Sequence, residues 1–291
     1  MITFMKKTLL LLLIPLSFAQ AQDAILVTPQ WVNEHLKDPK LVVLQPNSLK
    51  FEYDKEHIAG ARYLGPGWLA PDSPNGNFNA PEVQKANEVL RDLGISNDSH
   101  IVLCHVRNEV SVTARMLLTL EYFGLRGQVS FLNGGLEAWK KAGFPVTSEV
   151  PVVKKGNFKA KAGVTIVDKD YVLKTLNSPD AVVVDARMQR YYDGETTGNP
   201  RDGHITGAKN IPYTEMLDAS NMFKPTDQLQ AYFTPVVPDK KKEIVTYCFI
   251  GQTASVVYMA GRVLGYDVKL YDGSLQEWSR IDTLPMEITK K

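Results

Sequence analysis

The sequence predicts an α/β protein made of two similar domains in tandem, each a mostly parallel sheet flanked by helices. Three observations carry this. Four segments recur in the same order: residues 42–45 in 182–185, 57–61 in 204–208, 101–104 in 244–247 and 133–139 in 272–278, at offsets of 140, 147, 143 and 139. A repeat of this length is a duplicated domain rather than a solenoid, whose units run to about 20–50 residues. Each half also alternates short β-branched runs with helix-length amphipathic segments, the pattern of parallel strands covered on both faces. Finally, 291 residues with 44% hydrophobic and 22% charged content suit two soluble domains of ordinary size.

The chain opens on Lys6 and Lys7, an apolar run over residues 8–18, and Ala19-Gln20-Ala21. The run is shorter than the roughly 20 residues that span a bilayer, so residues 1–21 read as a cleaved export signal, periplasmic in a Gram-negative source. No further membrane segment is expected. Residues 22–150 form the first domain. Its strands are expected at 42–45 and 101–104, its helix at 111–123 with Gly124 as the stop, and its Gly-Gly turn at 134–135. Lys154, Lys155, Lys159 and Lys161, with Gly156 and Gly163, mark 151–163 as a solvated linker. In the second domain, 164–291, strands are expected at 182–185 and 244–247, and a helix at 254–264 with apolar Val257, Ala260 and Leu264 and a stop at Gly265.

The strand at 244–247 runs into Cys248, then a loop, Phe249-Ile250-Gly251-Gln252-Thr253-Ala254, and then a helix. Such a turn curls backbone N–H groups around the sulfur and aims the positive helix end at it, which favours thiolate. Ligands of parallel sheets lie outside the carboxyl ends of the strands, where Cys248 falls. A cysteine at a strand end is otherwise often plain core. Aligned on the strands, His105 takes the place of Cys248, and Cys104 stands opposite Tyr247, facing the core. The candidate nucleophile therefore lies in the second half, with no cysteine at the matching place in the first.

The chain resembles tandem-domain sulfurtransferases of the rhodanese family. The resemblance rests on Val184-Asp185-Ala186-Arg187, Arg190-Tyr191, residues 200–208, the Cys248 loop and residues 271–278, and covers nearly the whole mature chain. It implies two rhodanese-like domains, the second active and the first degenerate and serving mainly as a wall of the cleft, and a double displacement: the Cys248 thiolate takes the outer sulfur of an anionic donor, and a thiophilic acceptor, cyanide or a thiol, removes it. Loop amides from Phe249 to Ala254 would stabilise the terminal sulfur. Arg187 matches the family's arginine facing the loop, with pairing to Asp185 as its alternative. Asp185, Arg190 and Arg201 are weaker candidates. His57 and His204, in the same turn of both halves, read as structural. No metal or organic cofactor is implied, and the two cysteines and five scattered histidines have no ligand spacing.

Phe249 and Ile250 fit neither the basic loops of thiosulfate enzymes nor the Gly/Ser loops of mercaptopyruvate enzymes. Gln252, Thr253 and Ser255 supply the loop's polar side chains. Residues 63–79 hold no histidine, which favours thiosulfate or a persulfide donor over mercaptopyruvate; Trp68 and Phe78 there are candidate cleft residues. Ala254 stands where a cysteine phosphatase needs arginine, and no Cys-x-x-Cys pair supports a thiol-disulfide oxidoreductase. A noncatalytic sulfur- or anion-binding module is the remaining alternative. A net charge of +1 gives no footprint for nucleic acid. No bridge between Cys104 and Cys248 is expected, since a locked sulfur could not turn over.

Overall fold

The computed structural model describes residues 24–72 and 76–289. The export signal expected over residues 1–21 lies outside the described residues. Among them, no helix is long and apolar enough to cross a membrane.

Each half builds one five-stranded, wholly parallel sheet. In the first, β1 (Leu26–Val27), β2 (Leu41–Pro46), β3 (Arg62–Leu64), β4 (His100–Leu103) and β5 (Val129–Leu132) lie in the order β1-β5-β4-β2-β3. In the second, β6 (Ile166–Val167), β7 (Ala181–Asp185), β8 (Lys209–Asn210), β9 (Glu243–Tyr247) and β10 (Val268–Tyr271) repeat that order as β6-β10-β9-β7-β8. The duplication read from the sequence is thus a duplication of topology. From β7 the chain moves outward to β8 and from β9 to β10 on the other side, so the switch point of the second sheet lies between β7 and β9. In open parallel sheets, ligands bind at such a point, in the crevice outside the carboxyl ends of the strands.

Four helices matter for the site: α1 (Val110–Leu120), α2 (Gly135–Lys141), α3 (Ala254–Val263) and α4 (Ser274–Trp278). The expected stops hold, with Gly124 at φ +104° and Gly265 at φ +82°. Helices α1 and α3 differ from the amphipathic expectation. They are buried nearly all round, because each packs on its own sheet with one side and on the other domain with the other. One apolar cluster therefore runs through both domains, while two smaller clusters fill the outer sheet faces around Trp139 and Trp278.

The segment 151–163 is not simply solvated. Its lysines point outward, but Phe158 is buried, and N–H groups of Gly156, Phe158, Lys161 and Gly163 donate to carbonyls of Arg91, Ile95, Phe123 and Tyr122. A Cβ on Gly156 would stand 2.0 Å from the Ile95 carbonyl oxygen, so only glycine lets this strap lie so close to the first domain.

Candidate active site

Cys248 follows β9 directly and is only 1% exposed. Its backbone is pinned on both sides. The Cys248 N–H donates to Ser274 Oγ at 3.3 Å, the Cys248 carbonyl accepts from Leu275 N–H at 3.1 Å, and the Phe249 carbonyl accepts from Gln276 N–H at 2.9 Å. Gly251 takes φ +78°, and Ser255 Oγ donates to its carbonyl at 2.9 Å, closing the loop onto α3. No acceptor among the described residues takes the N–H groups of Phe249, Ile250, Gly251, Gln252 or Thr253. A run of unpaired amides leading into a helix N-terminus is a ready anion cradle.

Ser274 holds φ +48°, a conformation that costs a residue with a side chain about 1–3 kcal/mol. Its counterpart in the repeat, Gly135, has φ +56° and could not carry a Cβ, which would stand 2.2 Å from the His105 carbonyl oxygen. The second domain accepts the strained serine and gains the Oγ that takes the Cys248 N–H. Sequence reasoning passed over Ser274, although the Gly-to-Ser change between repeats marks it.

Arg187, just past β7, faces the same crevice. Its Nε and Nη2 grip the Asp185 carboxylate at 3.0, 3.1 and 2.6 Å, and Nη2 also donates to the Gly203 carbonyl at 2.7 Å. The alternative pairing with Asp185 is therefore realised, and the pair is almost wholly buried. No described residue accepts from Nη1. Burial alone would lower the Arg187 pKa; Asp185, Tyr247 and Cys248 outweigh it and hold the guanidinium above its ordinary value. Tyr247 lies in the same buried cluster: its hydroxyl takes the Ile205 N–H at 3.1 Å, and burial, with the Asp185 charge nearby, pushes its phenol well up. The His204–Ala208 turn thus supports the site through its backbone. The His204 ring is held by the Tyr192 carbonyl at 2.8 Å and Glu287 at 3.2 Å. His57 is held likewise by the carbonyls of Tyr53 and Glu149, at 2.7 and 3.0 Å.

A cation–aromatic stack covers the crevice. The Arg187 guanidinium lies 4.9 Å from the Phe249 ring centre, Phe249 meets Tyr191 edge-on at 5.4 Å, and Arg190 lies 4.6 Å over Tyr191. Arg190 is exposed and joins the site only through this stack. Phe249 links Arg187 to Tyr191 in this stack.

Three sequence expectations need correction. Arg201 is not a site residue: all its bonds go to the carbonyls of Trp278, Ser279, Ile281 and Leu284, where it secures the turn after α4. Of the polar loop side chains, Gln252 is committed to Ser111 Oγ at 3.0 Å and Ser255 to Gly251, leaving Thr253 as the one without a protein partner among the described residues. Trp68 packs edge-on against Tyr63 beside Lys50 and Arg62, in a groove of the first domain away from the Cys248 loop, whereas Phe78 packs on the shared core.

The corresponding place in the first domain has lost this chemistry. Gln45 and Asn47 stand where Asp185 and Arg187 do, and His105 stands where Cys248 does. Burial pushes the His105 imidazole down to about 4 and the Cys104 thiol, deep in the core, well up. Both cysteines are free. The first domain instead supplies contacts. Asn77 exchanges hydrogen bonds with the Gln276 side chain at 2.8 and 2.9 Å, and Ala80 N–H donates to Asp272 at 2.9 Å.

A family model described as the rhodanese-like domain matches residues 28–142 and again 168–281. The chain belongs to the rhodanese family. It is 32% identical over 284 residues to the sulfur carrier protein TtuD of Thermus thermophilus, covering 91% of this chain and 97% of that one. It is 30% identical over 282 residues to the 3-mercaptopyruvate sulfurtransferase of Escherichia coli, with 91% and 98% covered. Mouse thiosulfate sulfurtransferase is 31% identical over 274 residues, with 88% and 92% covered. The crystal structure of SseA from Escherichia coli superposes with a TM-score of 0.77 at 29% identity, over 86% of this chain and 98% of that one. YnjE shares the fold, with a TM-score of 0.81 at 22% identity over 92% of this chain and 69% of that one. This rhodanese is a tandem-domain sulfurtransferase, with the α/β architecture expected for each half.

Proposed function

We propose that this sulfurtransferase carries sulfur on Cys248, taking it from thiosulfate or a related small anionic donor and passing it to cyanide or a thiol. The observation that carries the reading is the run of unpaired N–H groups from Phe249 to Thr253 around a cysteine whose own N–H is tied to Ser274. The Cys248 thiolate attacks the sulfane sulfur of thiosulfate, the S–S bond to the sulfonate breaks, and sulfite leaves with the bonding pair. The persulfide anion that remains rests in the cradle. Cyanide then attacks the outer sulfur, thiocyanate departs, and the thiolate returns.

Two features favour a compact donor. Cys248 is only 1% exposed, so a narrow sulfur terminus reaches it more readily than a branched one. The first-domain segment beside the site offers Asn77, Phe78 and Asn79 and no histidine to bind a carboxylate. Arg187 Nη1 is the available cation. The basic, apolar and small-residue pattern of residues 1–21 supports export, periplasmic in a Gram-negative cell.

The test is an intact-mass measurement on the reduced protein after thiosulfate or mercaptopyruvate, followed by cyanide and a thiocyanate assay. A gain of about 32 Da, removed by cyanide, absent in Cys248→Ser and retained in Cys104→Ser, is expected, with thiosulfate the better donor. No adduct from either donor on folded protein would leave a noncatalytic binding module, and a faster reaction with mercaptopyruvate would reverse the donor assignment.

A further inference from the structure

Helix α1 belongs to the domain without a nucleophile, yet two of its side chains reach the Cys248 loop of the other domain. Ser111 accepts from Gln252 Nε2 at 3.0 Å. Four residues on, along the same helix face, Arg115 lies against Gly251, where a Cβ would stand 3.0 Å from Arg115 Nη1. Arg115 is fully buried. Its Nη2 binds Asp272 Oδ1 at 2.6 Å, but its Nε and Nη1 have no partner among the described residues. Asp272 is also engaged by the Ala80 N–H and is part exposed, so it offsets the buried charge incompletely.

Such a half-paired guanidinium is an expensive way to fill space, and an apolar side chain of similar volume would pack there at less cost. Its placement follows the nucleophile. The repeat offset of 143 sets Tyr258 of α3 in the matching position. Tyr258 gives its hydroxyl to Glu121, which also holds Arg262. The cation therefore lies against the loop that carries the cysteine, and its repeat counterpart on α3 is a phenol committed to Glu121.

We propose that Arg115 is a positioning residue for sulfur transfer, lent across the domain interface: it braces the Cys248 loop at Gly251, and its incompletely offset charge adds to the field that holds anionic sulfur. This rests on the reading of Cys248 as the sulfur carrier. The other charged or titratable groups around the loop are Arg187, Asp185 and Tyr247 on the β7 and β9 side, and Asp272 and Glu277 on the α4 side.

The experiment compares alkylation of Cys248 by anionic iodoacetate and neutral iodoacetamide in the reduced full chain, with the modified residue identified by peptide mass. The ratio of the two rates cancels changes in thiolate fraction and reads local potential. Arg115→Met is expected to lower the ratio about three- to ten-fold, a single-charge effect in a partly solvated site. Arg115→Lys is expected to restore most of it, and Asp272→Asn to raise it above wild type. Loosening of the interface alone would move Arg115→Met and Asp272→Asn in the same direction, and that result, or an unchanged ratio in Arg115→Met, would overturn the proposal. Should Arg115→Met not fold, the opposite signs expected of Arg115→Lys and Asp272→Asn still decide it. Ratios that move as expected in a protein that never takes up sulfur would sustain the field of Arg115 and refute the sulfur-transfer reading instead.

Discussion

Arg187 serves the fold and the site at once, and a double-mutant cycle with Asp185 separates the two. Arg187→Met removes the three contacts to the Asp185 carboxylate, at 3.0, 3.1 and 2.6 Å, and the bond to the Gly203 carbonyl at 2.7 Å. The carboxylate keeps only the main-chain N–H of residue 187 at 2.9 Å, in a position with no solvent exposure. Removing one partner of a buried pair strands the other charge and costs about 3–5 kcal/mol. Asp185→Asn removes the charge but keeps the shape and is expected to cost roughly 2–4 kcal/mol. The double variant strands no charge, so its loss should fall short of the sum by about 2–3 kcal/mol. Urea unfolding of the four proteins measures this, and a coupling below about 0.5 kcal/mol would refute the account of the pair. Persulfide formation on the same proteins gives the second readout. Asp185→Asn leaves Arg187 in place and should retain more activity than either variant without the guanidinium.

Two further outcomes are expected. Ser274→Ala loses the acceptor for the Cys248 N–H while keeping φ +48°, and should cost about 1–2 kcal/mol and slow single-turnover persulfide formation. Ser274→Gly should slow the chemistry similarly with little loss of stability, because relief of the strain offsets the lost bond; equal urea midpoints for the two variants would contradict this. Glu287 accepts the Gly207 N–H at 2.8 Å, which, with His204 and Lys209 nearby, holds its carboxyl below the ordinary value. A depressed carboxyl stabilises the fold above its unfolded pKa of about 4.3 and loses that contribution as pH falls through the folded value. The melting temperature of wild type should therefore exceed that of Glu287→Gln at pH 7 and converge with it in acid, and a gap that widens on acidification would refute the assignment.

The site was legible from sequence where it depends on chain continuity. Cys248 could be placed because strand, loop and helix are consecutive, and the glycine stops at Gly124 and Gly265 hold because left-handed backbone is a local demand. Arg187 was found through its motif, but its grip on Asp185 depends on a two-residue side-chain geometry that a pattern does not carry. Arg201 belongs to an equally good motif and yet secures a turn some 80 residues away in the chain, at Trp278 to Leu284. An arginine in the apolar run of α1 was visible in the sequence, but what it faces was not.

The sequence by itself determined the duplication and the α/β class and singled out Cys248 as the candidate nucleophile, because repeats, periodicity and strand–loop–helix order are properties of neighbours along the chain. Tertiary structure decided how the halves meet. It buried α1 and α3 between the domains, tied the Cys248 N–H to Ser274, set the Phe249 ring against Arg187 and placed Arg115 against Gly251. Those placements depend on packing between segments that are not neighbours along the chain, where close packing fixes positions that no local preference specifies.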